Sequence, residues 1–204
     1  MKTRTLNILI GINFAFAVLQ APLFYYYTFG LLVFFFIMPF VLVGLVMTIR
    51  LLILVINKAK SENIIFRLAV IIMTAVIGTL TLIYGDDYIE KADWKFRRET
   101  RNEIIGLVQE NILKTDPKNG SICTLNKWNI PPISNGGNEI TIDRGKAKEI
   151  TVEFFINRGF LDHYSAFVFT TDPAKITELE DKVKTDKDKQ DNKKLDSNWY
   201  RVSY

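Results

Sequence analysis

The sequence predicts an α-helical membrane anchor of three spans carrying an α+β exterior domain, in which a helix packs on an antiparallel sheet. Three observations predict it. Residues 6–84 form an apolar block with only short polar interruptions, residues 86–115 carry an apolar stripe at helical spacing, and after Gly120 the pattern changes to a period of two. The organisation that follows is an anchor over 1–85 and an extracytoplasmic domain over 86–204.

A helix needs about 20 mostly apolar residues to cross roughly 30 Å of hydrocarbon. Ile64 to Tyr84 supplies one span, and its one charged residue, Arg67, lies a turn from the start, where a long side chain reaches the headgroups. The run from Leu6 to Ile56 is too long for one helix and divides at the uncharged stretch Tyr25 to Gly30, which gives spans at about 6–26 and 31–54. Pro22 and Pro39 fall inside these spans, where neighbouring helices can satisfy the freed carbonyls, and kinks are expected there.

Orientation follows from lysine and arginine in the short loops, which are retained in the cytoplasm. Lys2 and Arg4 precede the first span, the first turn is uncharged, and Arg50, Lys58, Lys60 and Arg67 flank the second loop. Three crossings from a cytoplasmic N-terminus put the C-terminal domain outside. Tyr25, Tyr26 and Tyr27 at one exterior end, with Tyr84, Tyr88 and Trp94 at the other, match an aromatic belt at the interface. An alternative, in which Lys2, Arg4 and the run to Leu19 form a signal peptide cleaved near Ala15-Phe16-Ala17, is disfavoured by the apolar character that continues past Ala17. It leaves the same domain outside. The expected location is a plasma (inner) membrane of a bacterial envelope, crossed several times.

The net charge of +4 and pI near 9.0 are unevenly placed. Residues 1–85 hold six basic side chains and one acid, Glu62, whereas 86–204 hold 20 basic and 21 acidic. The exterior domain therefore has no cationic field to draw phosphates, and nucleic acid is not an expected partner. One cysteine, Cys123, and one histidine, His163, leave no disulfide, no Cys-rich zinc site and no paired-histidine metal motif, so neither metal nor cofactor is expected. With about 119 residues the domain is large enough to hold together by its own core. Asn119-Gly120-Ser121 matches a glycosylation sequon, which matters only in a secretory host.

Within the exterior domain, Ile89, Ala92, Phe96, Ile104, Val108 and Ile112 describe one apolar stripe of a helix that continues the third span almost without a break. Asp87 with Lys91 and Asp93 with Arg97 are i,i+4 pairs assigned to its polar side, and Arg97, Arg98 and Arg101 to a solvated face. Asp116-Pro117 and Asn119-Gly120 are expected to end it. Strands follow at 122–127, 139–143, 148–157 and 164–171, with turns at Asn135-Gly136-Gly137 and Asp143 to Lys146. Asp172-Pro173 reads as an N-cap with Pro at the first helical position, and Ile176, Leu179 and Val183 give that helix a thin apolar stripe. Residues 184–197 are read as a mobile charged loop, and Trp199, Tyr200, Val202 and Tyr204 as a closing strand.

Chemistry has few footholds. Asp162-His163 is the one acid–histidine neighbour pair, and on a turn it reads as loop hydrogen bonding; Cys123 beside Ile122 and Leu125 reads as a small core residue. No phosphate-binding loop, dinucleotide fingerprint, nucleophile elbow or zinc-protease motif occurs, and no catalytic residue is assigned. Asn13 and Gln20 lie on one face of the first span and read as interhelical hydrogen-bond glue, and the spans carry no acid for a proton relay. The expected partners are membrane lipid and an envelope or membrane protein. The expected function is a membrane-anchored protein-binding module, such as an immunity or inhibitor protein or an accessory subunit, with Trp199, Tyr200 and Lys189 as the contact residues. A membrane-surface enzyme is the alternative, and an oligomeric transport component a lesser one.

Overall fold

The computed structural model describes residues 3–57, 63–117, 120–128, 130–145, 148–158, 163–186 and 191–204. Lys2, Lys58 and Lys60, Asn119 of the sequon, Asp162 and Lys189 therefore lie outside the described residues. The chain forms two compact units, one of residues 1–25 with 32–91 and one of 26–31 with 92–204.

The first unit consists of helix α1 (Thr3–Tyr27) as far as Tyr25, α2 (Leu32–Ile56) and the opening part of α3 (Ile64–Gln109). All three helices are long and apolar enough to cross a membrane, which makes this a multi-pass membrane protein. Both α1 and α2 run on through their internal prolines, Pro22 and Pro39. Leu6, Ile10, Leu51, Val55 and Ile71 bury against one another where the three helices meet. Outward-facing side chains stay apolar: Phe35 is 72 % exposed and Ile65 80 %. So large an exposed apolar surface is what a helix needs in order to face hydrocarbon.

Polar side chains join these helices. Asn13 Nδ2 donates to Thr48 Oγ1 at 3.0 Å, Gln20 Nε2 donates to Gly78 O and Thr81 Oγ1, and Thr81 Oγ1 donates to Ala17 O at 3.1 Å. Each such bond contributes roughly 0.6–2 kcal/mol in a membrane. Gly85 makes the close approach possible, since a Cβ there would stand 2.6 Å from the Ala21 Cβ.

The second unit is built on a six-stranded antiparallel sheet in the order β1-β2-β3-β4-β6-β5. Its elements are β1 (Ile122–Thr124), β2 (Glu139–Arg144), β3 (Ile150–Arg158), β4 (Tyr164–Thr170), α4 (Pro173–Thr185), β5 (Lys193–Asp196) and β6 (Trp199–Ser203). Alternation decides which residues face which helix. Phe154, Phe167 and Trp199 turn to the C-terminal part of α3, where Trp94 packs on Phe167 and Trp199 at ring distances of 5.0 and 5.3 Å. Ala166, Val168, Tyr200 and Val202 turn the other way and bury against Leu179 of α4. Asp172 caps α4, its Oδ1 accepting from Ala174 N at 2.9 Å, with Pro173 at the first turn.

The structure departs from the sequence reading in four places. Helix α3 ends at Gln109, before the expected Asp116-Pro117, because Asn111 takes φ 61° and the Ile112 and Asn111 amides turn back to Leu107 O and Val108 O. That is a Schellman-type cap with Asn in the left-handed position. The segment read as a mobile loop contains strand β5, formed because Asp196 and Trp199 pair across a two-residue turn and Asp196 pairs with Arg98. Phe96 and Ile112, placed on the buried stripe of α3, are 77 % and 61 % exposed. The second unit starts at Ala92 and takes in residues 26–31, which bond to it: Gly30 N donates to Arg158 O at 2.6 Å and Asn135 Nδ2 to Thr28 O at 3.2 Å.

Candidate functional site

The buried face of α3 within the second unit begins with ions. Asp93, Arg97 and Arg101 follow one another at i, i+4 and i+8, so all three point the same way, and Ile104, Ile105 and Val108 continue the line as apolar core. Asp93 Oδ1 accepts from Arg97 Nη1 at 3.1 Å and from Tyr26 OH at 2.9 Å, and Oδ2 accepts from Arg101 Nη2. The side chains of Asp93 and Arg101 are 1 % and 2 % exposed. The Arg101 guanidinium lies 4.5 Å over the Phe167 ring, a cation–π contact strengthened by the absence of water.

This network grips a loop. Arg97 donates to Pro131 O at 2.7 Å and to Pro132 O at 2.8 Å, and Arg101 Nη2 reaches Ile133 O at 3.4 Å. From the other side Asn138 Oδ1 accepts from Ile133 N at 2.9 Å, while its Nδ2 donates to Leu125 O and Lys127 O at 2.7 and 2.9 Å. Ser134 Oγ accepts from Phe155 N at 2.8 Å, and Asn135 N donates to Phe155 O at 2.8 Å. Gly136 turns the chain at φ 79°, a left-handed conformation that suits glycine, and the Arg158 side chain closes over it. At the head of this held segment Ile130 is 87 % exposed. The result is a loop fixed by the eight hydrogen bonds just named, each contributing about 0.5–1.5 kcal/mol, that offers a bare aliphatic side chain to its surroundings.

The residues singled out from the sequence lie elsewhere. Trp199 is 3 % exposed, with Nε1 donating to Asn102 Oδ1 at 3.1 Å, and Tyr200 is fully buried under α4. Both belong to the core, and neither offers a docking surface. Lys189, the third of them, is outside the described residues. Asp93–Arg97, assigned to a polar side, is the buried centre of the grip, and Arg101 is core rather than solvated. Apolar periodicity cannot mark a helix face buried through paired ions. The one legible sign was the i,i+4 acid–base spacing.

His163 is exposed, at the rim of a cleft of about 310 Å³ lined also by Asn157, Tyr164, Ser165, Arg201 and Tyr204. Cys123 is buried, and burial raises its thiol pKa, so it is the protonated filler expected. On the face of the sheet that carries α4, Glu153 accepts from three hydroxyls: Thr141 at 3.2 Å, Tyr164 at 3.3 Å and Tyr204 at 3.1 Å. Burial first and the Glu153 carboxylate second push the Tyr164 phenol up to about 12. Groups of three or more metal-ligating side chains are not found among the described residues. Comparison with protein-family models, with curated proteins and with solved structures finds no match to this chain.

Proposed function

We propose that this chain is a membrane-anchored protein-binding module whose sheet domain lies outside the cytoplasm, in the inner membrane of a bacterial envelope. The observation that carries the reading is Ile130, an 87 % exposed aliphatic side chain at the head of a loop gripped by Arg97, Arg101 and Asn138. Exposed apolar groups on a pre-ordered backbone bind with little ordering cost, which is the usual make-up of a contact anchor. Phe96, 77 % exposed and next in the chain to Arg97, is a second such group. The side of the membrane is inferred from the sequence positions of Lys2, Arg4, Arg50, Lys58, Lys60 and Arg67, which flank the same ends of the three spans. An immunity or inhibitor protein, or an accessory subunit of an envelope complex, is the form this function takes; tethering then raises the local concentration of the domain at its target.

Photo-crosslinking in cells from positions 96 and 130, followed by mass spectrometry, tests it. A specific protein adduct lost in Ile130→Asp supports the reading; adducts with lipid alone mean that these side chains embed in the bilayer, and the binding role falls. For topology, a Ser197→Cys reporter should react with an impermeant maleimide in intact cells, while buried Cys123 stays silent. Labelling only after lysis reverses the assignment. The second reading, a membrane-surface enzyme, is favoured by the cleft beside His163, Ser165 and Arg201. His163→Ala abolishing the phenotype in a folded protein, with Ile130→Asp harmless, would establish it in place of binding.

A further inference from the structure

The first unit carries a groove of about 560 Å³ between α1 and α3, within the size range of sites for small amphiphiles. Its two walls are Asn7, Gly11 and Phe14 from α1, and Arg67, Val70 and Met73 from α3 with Asn63 in the turn just before that helix. Polarity is sorted along its length. Asn7, Asn63 and Arg67 gather where both helices begin, and everything further along is apolar. From Arg67 to Met73 is six residues of helix, about 9 Å at 1.5 Å per residue, so the groove descends from a charged mouth into the hydrocarbon layer. Arg67 is held at that mouth, 5 % exposed, with its Nε donating to Asn7 Oδ1 at 3.0 Å. The space over Gly11 is open, since a Cβ built there meets nothing within 4 Å.

We propose that this groove binds an anionic phospholipid, its phosphate at Arg67 with Asn7 and Asn63, and one acyl chain along Gly11, Phe14, Val70 and Met73. Charge complementarity selects the headgroup. A guanidinium presents N–H groups in a fork that suits phosphate oxygens, and its attraction to an anion grows as the dielectric falls toward the membrane interior. Basic clefts between membrane helices at the level of the lysines and arginines are where acidic headgroups bind. The anchor around it holds six basic side chains and one acid. The apolar floor selects a lipid over a soluble phosphate, which would leave Phe14, Val70 and Met73 without an occupant. The inference needs only that the helices cross a bilayer, and stands apart from the protein-binding reading.

Native mass spectrometry of the full chain in detergent, titrated with phosphatidylglycerol and phosphatidylcholine of identical chains, tests the site. The first phosphatidylglycerol should bind about fivefold tighter than phosphatidylcholine, the preference that one basic residue confers on an acidic headgroup. Arg67→Gln should abolish the preference, Arg67→Lys should retain part of it, and Arg50→Gln, at an exposed position, should leave it intact. Gly11→Phe starts from a position whose Cβ meets nothing within 4 Å, places a ring in the groove, and should weaken both lipids. Glu62→Gln removes the anchor's own acid and should preserve or raise the preference. Equal binding of the two lipids to the unaltered chain, a preference that survives Arg67→Gln, or indifference to Gly11→Phe would overturn the proposal.

Discussion

Asp93 is the residue on which most of the second unit's polar core converges, because three donors from α1 and α3 meet its carboxylate. Removing it strands Arg101, whose Nε already has no hydrogen-bond partner among the described residues. Breaking a buried pair on one side costs about 3–5 kcal/mol, whereas exchanging both partners for apolar residues is often neutral. Asp93→Ala should therefore lower the unfolding free energy of the full chain in detergent by about 3–5 kcal/mol, and Asp93→Leu with Arg101→Met should recover much of it in a denaturant melt. A single change costing under about 1 kcal/mol would show that the carboxylate is dispensable. Tyr164 gives a pH signature. Its phenol is held neutral to about 12 in the fold, while the unfolded chain ionises near the ordinary value of 10. The fold thus keeps a proton that the unfolded chain loses, and stability is full below pH 10 and declines as pH rises toward 12. Tyr164→Phe should reduce that decline in alkaline melts, leaving the part due to Tyr204, whose phenol burial and Glu153 also push up; an unchanged slope would place the titration elsewhere.

At the scale of elements, the strands were legible and the helix faces were not. Alternation in Ile150, Val152 and Phe154 places them on one side of β3 as the structure does, and Asp172-Pro173 starts α4 where the cap chemistry says. Strand β5 was hidden by its composition, Lys-Lys-Leu-Asp, which as an edge strand resists further pairing as much as it favours the fold. Trp199 and Tyr200 were misjudged for a different reason. Alternation assigns neighbours to opposite faces but cannot say that helices cover both, and here α3 takes one and α4 the other. The candidate site itself was nearly invisible, since Ile130 and Asn138 carry no periodic signal and the ion line on α3 looks like solvated surface. The loop's own dependence on glycine can be tested. At Gly136 a Cβ would combine a left-handed backbone with an approach of 2.6 Å to Arg158 Cδ, so Gly136→Ala should cost about 1–3 kcal/mol in the same melt. A neutral result would mean that the loop relaxes freely, and the pre-ordering of Ile130 would lose its basis.

For the whole molecule the informative feature is that residues 26–31, though they join two membrane spans, belong to the unit of the sheet. A fragment of residues 86–204 lacks them and gives up Tyr26 on Asp93, Thr28 on Asn135 and Gly30 on Arg158. Expressed alone, it should unfold at lower denaturant than the same domain in the full chain, with the amides of 133–138 exchanging fastest; equal midpoints would show that the loop contributes nothing. Time enters here as well. The ribosome makes this loop early and its partners late, Asn135 following Thr28 by 107 positions. At 5–20 residues per second the loop waits roughly 5–20 seconds for Asn135 to be made. During that interval Thr28 has been made and Asn135 has not. The sheet domain is then the last part of the protein to commit, and it closes on a piece of chain made in advance.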